Sequence, residues 1–256
     1  AGYLVGHAIC GGYIESLDKT LSDWPLVRGT LIADATVGEV INATMGNQNY
    51  MKSGNELRSG RDVGDITLGA IAQTELKDSK PANKRFAYGD LPPIVALNYV
   101  AFRTSEKNFS GFLNNVLQDH VGIKAELRFN HMRDPYFSNG LLKPNFKATR
   151  HDTLRLGIAM LNDWNNDNCV GQYLKDVYAN RVKKGYRQGD GFSKSYAGFF
   201  HTDYPGVEDR VMGMDGYGGI ALLINFDKNR IVYSHAIHRD YDYRKIILGP
   251  IEDGEF

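Results

Sequence analysis

Residues 212–246 read MGMDGYGGIALLINFDKNRIVYSHAIHRDYDYRKI. Two β-rich runs, GGIALLINF and NRIVYSHAI, flank the turn Asp227-Lys228-Asn229. Apolar runs on either side of a short polar turn predict an antiparallel hairpin. The next stretch, YDYRKIILGPI, is expected to close the chain as a helix. The stretch that leads in, 184–215, is rich in Gly, Tyr and Asp and reads as loop and short strand.

At the other end the chain opens AGYLVGHAICGGYI. Leu4 and Ala8 recur at helical spacing among small residues, and a helix that is apolar nearly all round is a buried one. It is expected to end at Gly11-Gly12. Nothing like Ser, Thr, Asp or Asn precedes Ala1 to cap it, and the start lacks the Met and basic residues of a signal peptide. It reads as the middle of a core helix whose beginning lies upstream. Between the ends, residues 34–50 read as a short helix running into a Gly/Asn turn, 52–66 as loop and 67–77 as helix. Residues 81–93 carry three prolines and a glycine and read as a surface loop. Residues 94–104 and 109–119 are helical in pattern, and 128–149 irregular. A helix is expected from about Thr149, with Leu154, Ile158 and Leu161 on one face, and VGQYLKDVYANRV continues the helical pattern. No internal repeat is present.

Composition narrows the function classes. A length of 256 residues suits one sizeable domain. With 42% hydrophobic and 23% charged residues the chain is globular rather than disordered. Lys plus Arg balances Asp plus Glu, 30 against 30, so no basic footprint for nucleic acid exists at the whole-chain level. No apolar run approaches the roughly 20 residues that cross a bilayer. Cys10 and Cys169 are too few for a disulfide scaffold or a multi-cysteine zinc site, and they do not fix the redox compartment.

Metal chemistry is not expected either. His235 and His238, with Asp240, are three apart on a strand-like run, and such residues face opposite sides. His201 and Asp203 share a face but make two ligands, where zinc takes three or four. His7 reads as a core histidine. Tyr217-Gly218-Gly219 lacks the lysine and following helix of a phosphate loop, and no cofactor is implied.

Six segments, in order, resemble the serine hydrolases of the class C β-lactamase, penicillin-binding and esterase group. GHAICGGYIESLDKTLSDWP is similar to the continuation of that family's nucleophile helix, which begins Ser-x-x-Lys. VINATMGNQNY resembles its Met/Ser-Gly turn, and Tyr88-Gly89-Asp90 sits where it has Tyr-x-Asn or Tyr-x-Ser. NFSGFLNNVLQDHVGI and ATRHDTLRLGIAML resemble the Pro-Leu-Gly-Met and Thr-x-x-Asp-x-x-Arg helices. Met214-Asp215-Gly216, the hairpin and the last helix resemble the Lys/His-x-Gly strand, its hairpin partner and the terminal helix.

The resemblance implies an α+β fold: a β-lactamase/transpeptidase-like antiparallel sheet flanked by helices, with a large helical region, the first strands and the start of the nucleophile helix missing. It implies one domain over 1–256, with 1–30 and 184–256 associated with the sheet and 31–183 mostly helical. The bare hairpin edge would need cover from an oligomeric contact or a partner segment. The implied chemistry is acyl transfer on a small ester or amide, without nucleic acid, membrane span or cofactor. Tyr88 becomes a proton shuttle, with Asp90 in the third place of its motif. Tyr217 supplies an oxyanion-hole N–H, and Met214, Asp215 and Gly216 line the substrate. Met214 stands where the family has Lys or His, so the charge that grips a β-lactam carboxylate is missing. Ser16-Leu17-Asp18-Lys19 is the one Ser-x-x-Lys in the chain. It comes after the Gly-Gly break in a polar stretch, which favours a nucleophile upstream of Ala1. The alternative is a binding module of the same fold for a peptide or cell-wall fragment. The family is often exported, which leaves a periplasmic or secreted location as an implication only.

Overall fold

The computed structural model describes residues 1–28, 31–45, 85–89, 91–126, 129–134, 137–146, 148–185, 193–216, 219–235 and 244–254. The expected loop at 52–66 and helix at 67–77 lie outside them. The chain forms two compact units, one of residues 1–110 with 128–146, the other of 111–127 with 147–256. Among the described residues no helix is long and apolar enough to cross a membrane.

The first unit is built on helices. Helix α1, Gly2–Cys10, buries Tyr3, Leu4, Val5 and Ala8 and ends at Gly11, as the pattern of small apolar residues predicts. Helix α2, Val37–Ile41, starts with a reciprocal cap in which Glu39 N–H donates to Thr36 Oγ1 and Thr36 N–H donates to the Glu39 carboxylate, each at 3.1 Å. Helix α3, Leu91–Arg103, is buried along most of its length. It begins three residues before the expected boundary because Pro92 and Pro93 occupy its first turn, where a missing N–H costs no helical bond.

The stretch expected to be irregular, 128–149, instead carries an antiparallel hairpin, β1 Phe129–Asp134 and β2 Phe137–Phe146. Its signal is obscured because Gly140 and Pro144 interrupt β2 and the register shifts twice. The hairpin is tied to α3 by Asn98. Its amide donates to Leu142 O at 2.9 Å and accepts from Leu142 N–H at 3.0 Å, the pattern of a neighbouring strand.

The second unit opens with the end of α4, Glu106–Leu113, which continues as a π-helical turn, Asn114–His120. Helices α5, Arg150–Asn166, and α6, Cys169–Ala179, come next. The sheet has six antiparallel strands in chain order: β3 Val182–Lys183, β4 Ser195–Ala197, β5 Phe200–Thr202, β6 Val211–Gly216, β7 Ile220–Asn225 and β8 Arg230–Ser234. The predicted hairpin is β7–β8. Its turn forms because buried Asn225 accepts from the N–H groups of Asp227 and Lys228, while Asn229 takes a left-handed φ of 53°. One face of the sheet, with Val211, Ala221, Leu223 and Val232, packs on Ile247, Leu248 and Ile251. These belong to the π-helical turn Arg244–Leu248 and to α7, Gly249–Glu252, which are the expected closing helix. The other face meets α5, where Gly157 lies against Leu222 and Ile231.

The Thr-x-x-Asp-x-x-Arg set begins α5 as a brace. Thr149 Oγ1 accepts from Asp152 N–H at 3.1 Å. The buried Asp152 carboxylate accepts from Lys124 N–H at 2.8 Å, from Thr149 Oγ1 at 2.7 Å and from the Arg155 guanidinium at 2.7 Å. Burial alone would raise its pKa, but these donors outweigh it and hold the carboxyl far below the ordinary aspartate value. A depressed carboxylate stabilises the fold fully above its unfolded pKa and stops doing so as pH falls through the folded value. The stability advantage of wild type over Asp152→Asn is therefore expected to be constant above about pH 5 and to shrink on acidification, as urea melts across pH would record.

Helices α5 and α6 meet without room for a side chain at Gly171. A Cβ there would lie 2.0 Å from the carbonyl oxygen of Asp163, a backbone atom. Gly171→Ala is expected to cost about 3 kcal/mol, read from the denaturation midpoint, with little change in far-UV circular dichroism below it.

Candidate functional site

Strand β6 runs between β5 and β7 and carries the Met214-Asp215-Gly216 triplet at its end. Successive side chains on a strand point to opposite faces. Met212, Met214 and Gly216 therefore share one face, and Val211, Gly213 and Asp215 the other. Met214 pairs with Leu222, and Leu222 with Tyr233, so these three form one cross-strand row on the side that α5 covers. On that side, where α5 begins, a cavity of about 540 Å³ is lined by Thr149, Arg150, His151, Leu154 and Tyr233.

Asp215 points the other way. Its Oδ2 accepts from Tyr204 Oη at 2.9 Å, and Tyr204 is buried in the core beneath the sheet. To reach it the phenol crosses Gly213, where a Cβ would lie 1.8 Å from Tyr204 Oη. The acid is thus engaged by the protein itself, on the face opposite Met214. Gly216 is exposed, and among the described residues a Cβ there would meet Ile220 alone, at ordinary contact distances of 3.6 and 3.7 Å. Packing against the described residues does not require a glycine at this position.

Tyr88 is 55% exposed and belongs to the first unit, in the irregular segment 85–89. Buried Phe86 anchors the segment, and Ala87 N–H donates to Ala43 O at 2.9 Å, just beyond α2. Met214, Asp215 and Gly216 belong to the second unit. Asp90 and Tyr217 lie outside the described residues.

The Ser16–Lys19 pair does not make a nucleophilic dyad. The segment is a surface turn rather than a helix, and Ser16 Oγ accepts from Asp18 N–H at 3.2 Å. Lys19 Nζ lies 3.8 Å from Glu15 and 3.6 Å from Asp23. Asp23 also accepts from Tyr99 Oη at 2.9 Å and from Arg103. Burial works to raise the Asp23 pKa, and the Tyr99 hydrogen bond with the charges of Lys19 and Arg103 overcomes it and lowers it. The lysine therefore serves an ion-pair network.

His201 and Asp203 do not converge on a common point. Asp203 pairs with Arg181 at 2.9 Å, whereas His201 Nδ1 lies 2.6 Å from the Lys184 ammonium, a neighbour that opposes a metal cation. His235 contacts Tyr233 Oη at 3.1 Å, and His238 and Asp240 lie outside the described residues. Neither Cys10 nor Cys169 is a free thiol. Sequence reasoning missed Tyr204 and Gly213, whose partnership spans nine positions and has no periodic signature. It also missed Asp163, a buried carboxylate held by Asn168 at 2.8 Å and by His120 at 3.1 Å.

The architecture has solved counterparts. The chain superposes on a penicillin-binding protein homologue from Caulobacter crescentus with a TM-score of 0.61 at 14% identity, covering 92% of this chain and 74% of that one. It matches a class C β-lactamase from Rhodobacter sphaeroides with a TM-score of 0.57 at 13% identity, covering 93% and 78%. It has the β-lactamase/penicillin-binding fold. SurE matches at 0.61 and 14% identity over 91% of this chain, which spans 57% of SurE's length. No protein family and no curated protein matches the sequence itself. At such identities the likeness is one of fold, carried by the antiparallel sheet and its helices.

The Tyr204–Asp215 contact over Gly213 yields a direct test. Gly213→Ala is expected to lower stability by about 2 kcal/mol. Adding Tyr204→Ala should leave the pair less destabilised than the two single effects summed, because the second change removes the clashing ring. A double-mutant cycle in urea measures the difference.

Proposed function

We propose that the full protein is a serine hydrolase that cleaves a small neutral ester or amide through an acyl-enzyme. The support is the β-lactamase/penicillin-binding fold together with a triplet whose exposed glycine, Gly216, is not required by packing against the described residues. In this mechanism a serine hydroxyl adds to the substrate carbonyl while its proton passes to a base. The tetrahedral oxyanion collapses, and the leaving alcohol or amine departs with that proton. Water then hydrolyses the acyl-serine. Tyr88 is assigned to proton transfer, with Asp90 beside it in the motif. A phenol titrates near 10 in water, so it needs a neighbouring cation to act as a base near neutrality. Tyr217 N–H is assigned to the oxyanion. The nucleophile is assigned to a Ser-x-x-Lys ahead of α1, since Ser16 and Lys19 are committed elsewhere.

Met214 sets the substrate class. A thioether offers no charge to a carboxylate, which favours neutral acyl groups over β-lactam acids. The same absence supports a second reading, a binding module of this fold for a peptide or cell-wall fragment.

The full-length protein separates the two with p-nitrophenyl acetate. Hydrolysis that Tyr88→Phe reduces about 100-fold in kcat/KM is the expected result. No hydrolysis, combined with saturable binding of a cell-wall peptide, would favour the binding module. Met214→Lys is expected to improve affinity for substrates that carry a carboxylate next to the scissile amide.

A further inference from the structure

On the outer strands of the sheet three chemically active side chains meet. Lys184 directly follows β3, Ser193 leads into β4, and His201 is the central residue of β5. Main-chain bonds hold the three segments together: Lys184 N–H donates to Lys194 O at 2.9 Å, and Lys194 N–H donates to Asp203 O at 3.0 Å. Ser193 Oγ lies 3.0 Å from His201 Nδ1, Lys184 Nζ lies 2.6 Å from the same nitrogen, and Lys184 Nζ also hydrogen-bonds Ser193 Oγ. Ser193 is buried, at 5% exposure. The Tyr196 ring packs edge-on against the imidazole, with centroids 5.3 Å apart, and fixes its plane.

The geometry has a chemical consequence. A neutral imidazole nitrogen has one lone pair, and here a hydroxyl and an ammonium both converge on it. Only one donor can be served fully, and when the hydroxyl takes the lone pair its proton faces one basic centre, His201 Nδ1, with the ammonium beside it. A hydroxyl in contact with a histidine and a lysine is the arrangement that makes serine a nucleophile in acyl transfer. His201 pairs across the sheet with Gly213, so it stands on the face opposite Met214.

We infer that Ser193, with His201 as its base and Lys184 beside it, is a second nucleophilic centre that accepts acyl or phosphonyl groups from activated esters. This centre uses a different serine on a different face from the proposed hydrolase site, and does not depend on it. Ser193 Oγ bonds to the acyl carbon as its O–H proton moves to His201 Nδ1. The Lys184 ammonium offsets the charge on the tetrahedral oxygen. When the ester C–O bond breaks, the alkoxide leaves and takes the proton from Nδ1. The products are acyl-Ser193 and an alcohol. Water, deprotonated by His201, can later release the acid and return the proton to Oγ.

Treating the 256-residue chain with a fluorophosphonate ester and mapping the adduct by peptide mass spectrometry tests this assignment. An adduct on Ser193 is expected, lost in Ser193→Ala and formed about 100-fold more slowly in His201→Gln. Ser195→Ala should leave it unchanged. No adduct, or one on another serine, overturns the assignment. It leaves the hydrolase reading intact, because that reading is tested through Tyr88 and p-nitrophenyl acetate turnover. A second measurement guards against a misfolded alanine variant. Neither native cysteine is a free thiol, so Ser193→Cys introduces one reporter. Its alkylation by iodoacetamide at about pH 7 is expected to be roughly 10-fold faster, or more, than in Ser193→Cys/His201→Gln, since a histidine contact favours the thiolate. Equal rates would also overturn the assignment.

Discussion

The hydrogen bond from Tyr204 to Asp215, passing over Gly213, fixes which way β6 faces. A slip of one residue in a strand exchanges its two faces completely. Because the phenol is rooted in the core and the acid is its partner, Asp215 is drawn under the sheet and Met214 is turned to the α5 side. The neighbouring strands inherit this choice through continuous antiparallel pairing from Val211↔Asn225 to Gly216↔Ile220 and on to β8. The exposed end at Gly216 and the placement of His201 beside Gly213 depend on the same register.

Polar side chains act throughout as substitutes for missing backbone partners. Asn98 gives β2 the two bonds that an adjacent strand would give. Asp152 satisfies the N–H groups of Lys124 and Ala125 while beginning α5. Asn225, wholly buried, accepts from the turn after it and donates to Ile251 O near the end of the chain. Buried polar groups are tolerated only when paired, so each of these residues specifies a connection that apolar packing would leave adjustable.

Charge is distributed to match. Lys19, Asp23, Arg103 and Glu15 form one network in the first unit, whereas the triplet at the end of β6 contains no cationic residue. Lys184 and His201, on the outer strands, are directed at a serine instead.

The sequence by itself determined the elements whose signals are local. The apolar opening run made α1, the polar turn between apolar runs made the β7–β8 hairpin, and Thr149 marked the start of α5. The ordered motifs pointed to the β-lactamase/penicillin-binding fold because they sample elements along the whole chain. Strands β1 and β2 were hidden because Pro144 and Gly140 break their alternation, and their hold on the fold comes from Asn98, in a helix distant along the chain. The candidate residues Met214 and Gly216 were legible as a motif, but the side each one faces was not. Only the tertiary structure decided that Asp215 is taken up by Tyr204, that Ser16 and Lys19 go separate ways, and that Ser193 meets His201 and Lys184. The reason is physical: local propensity is set within a few residues, whereas these choices depend on packing and hydrogen bonds that close only after distant segments meet.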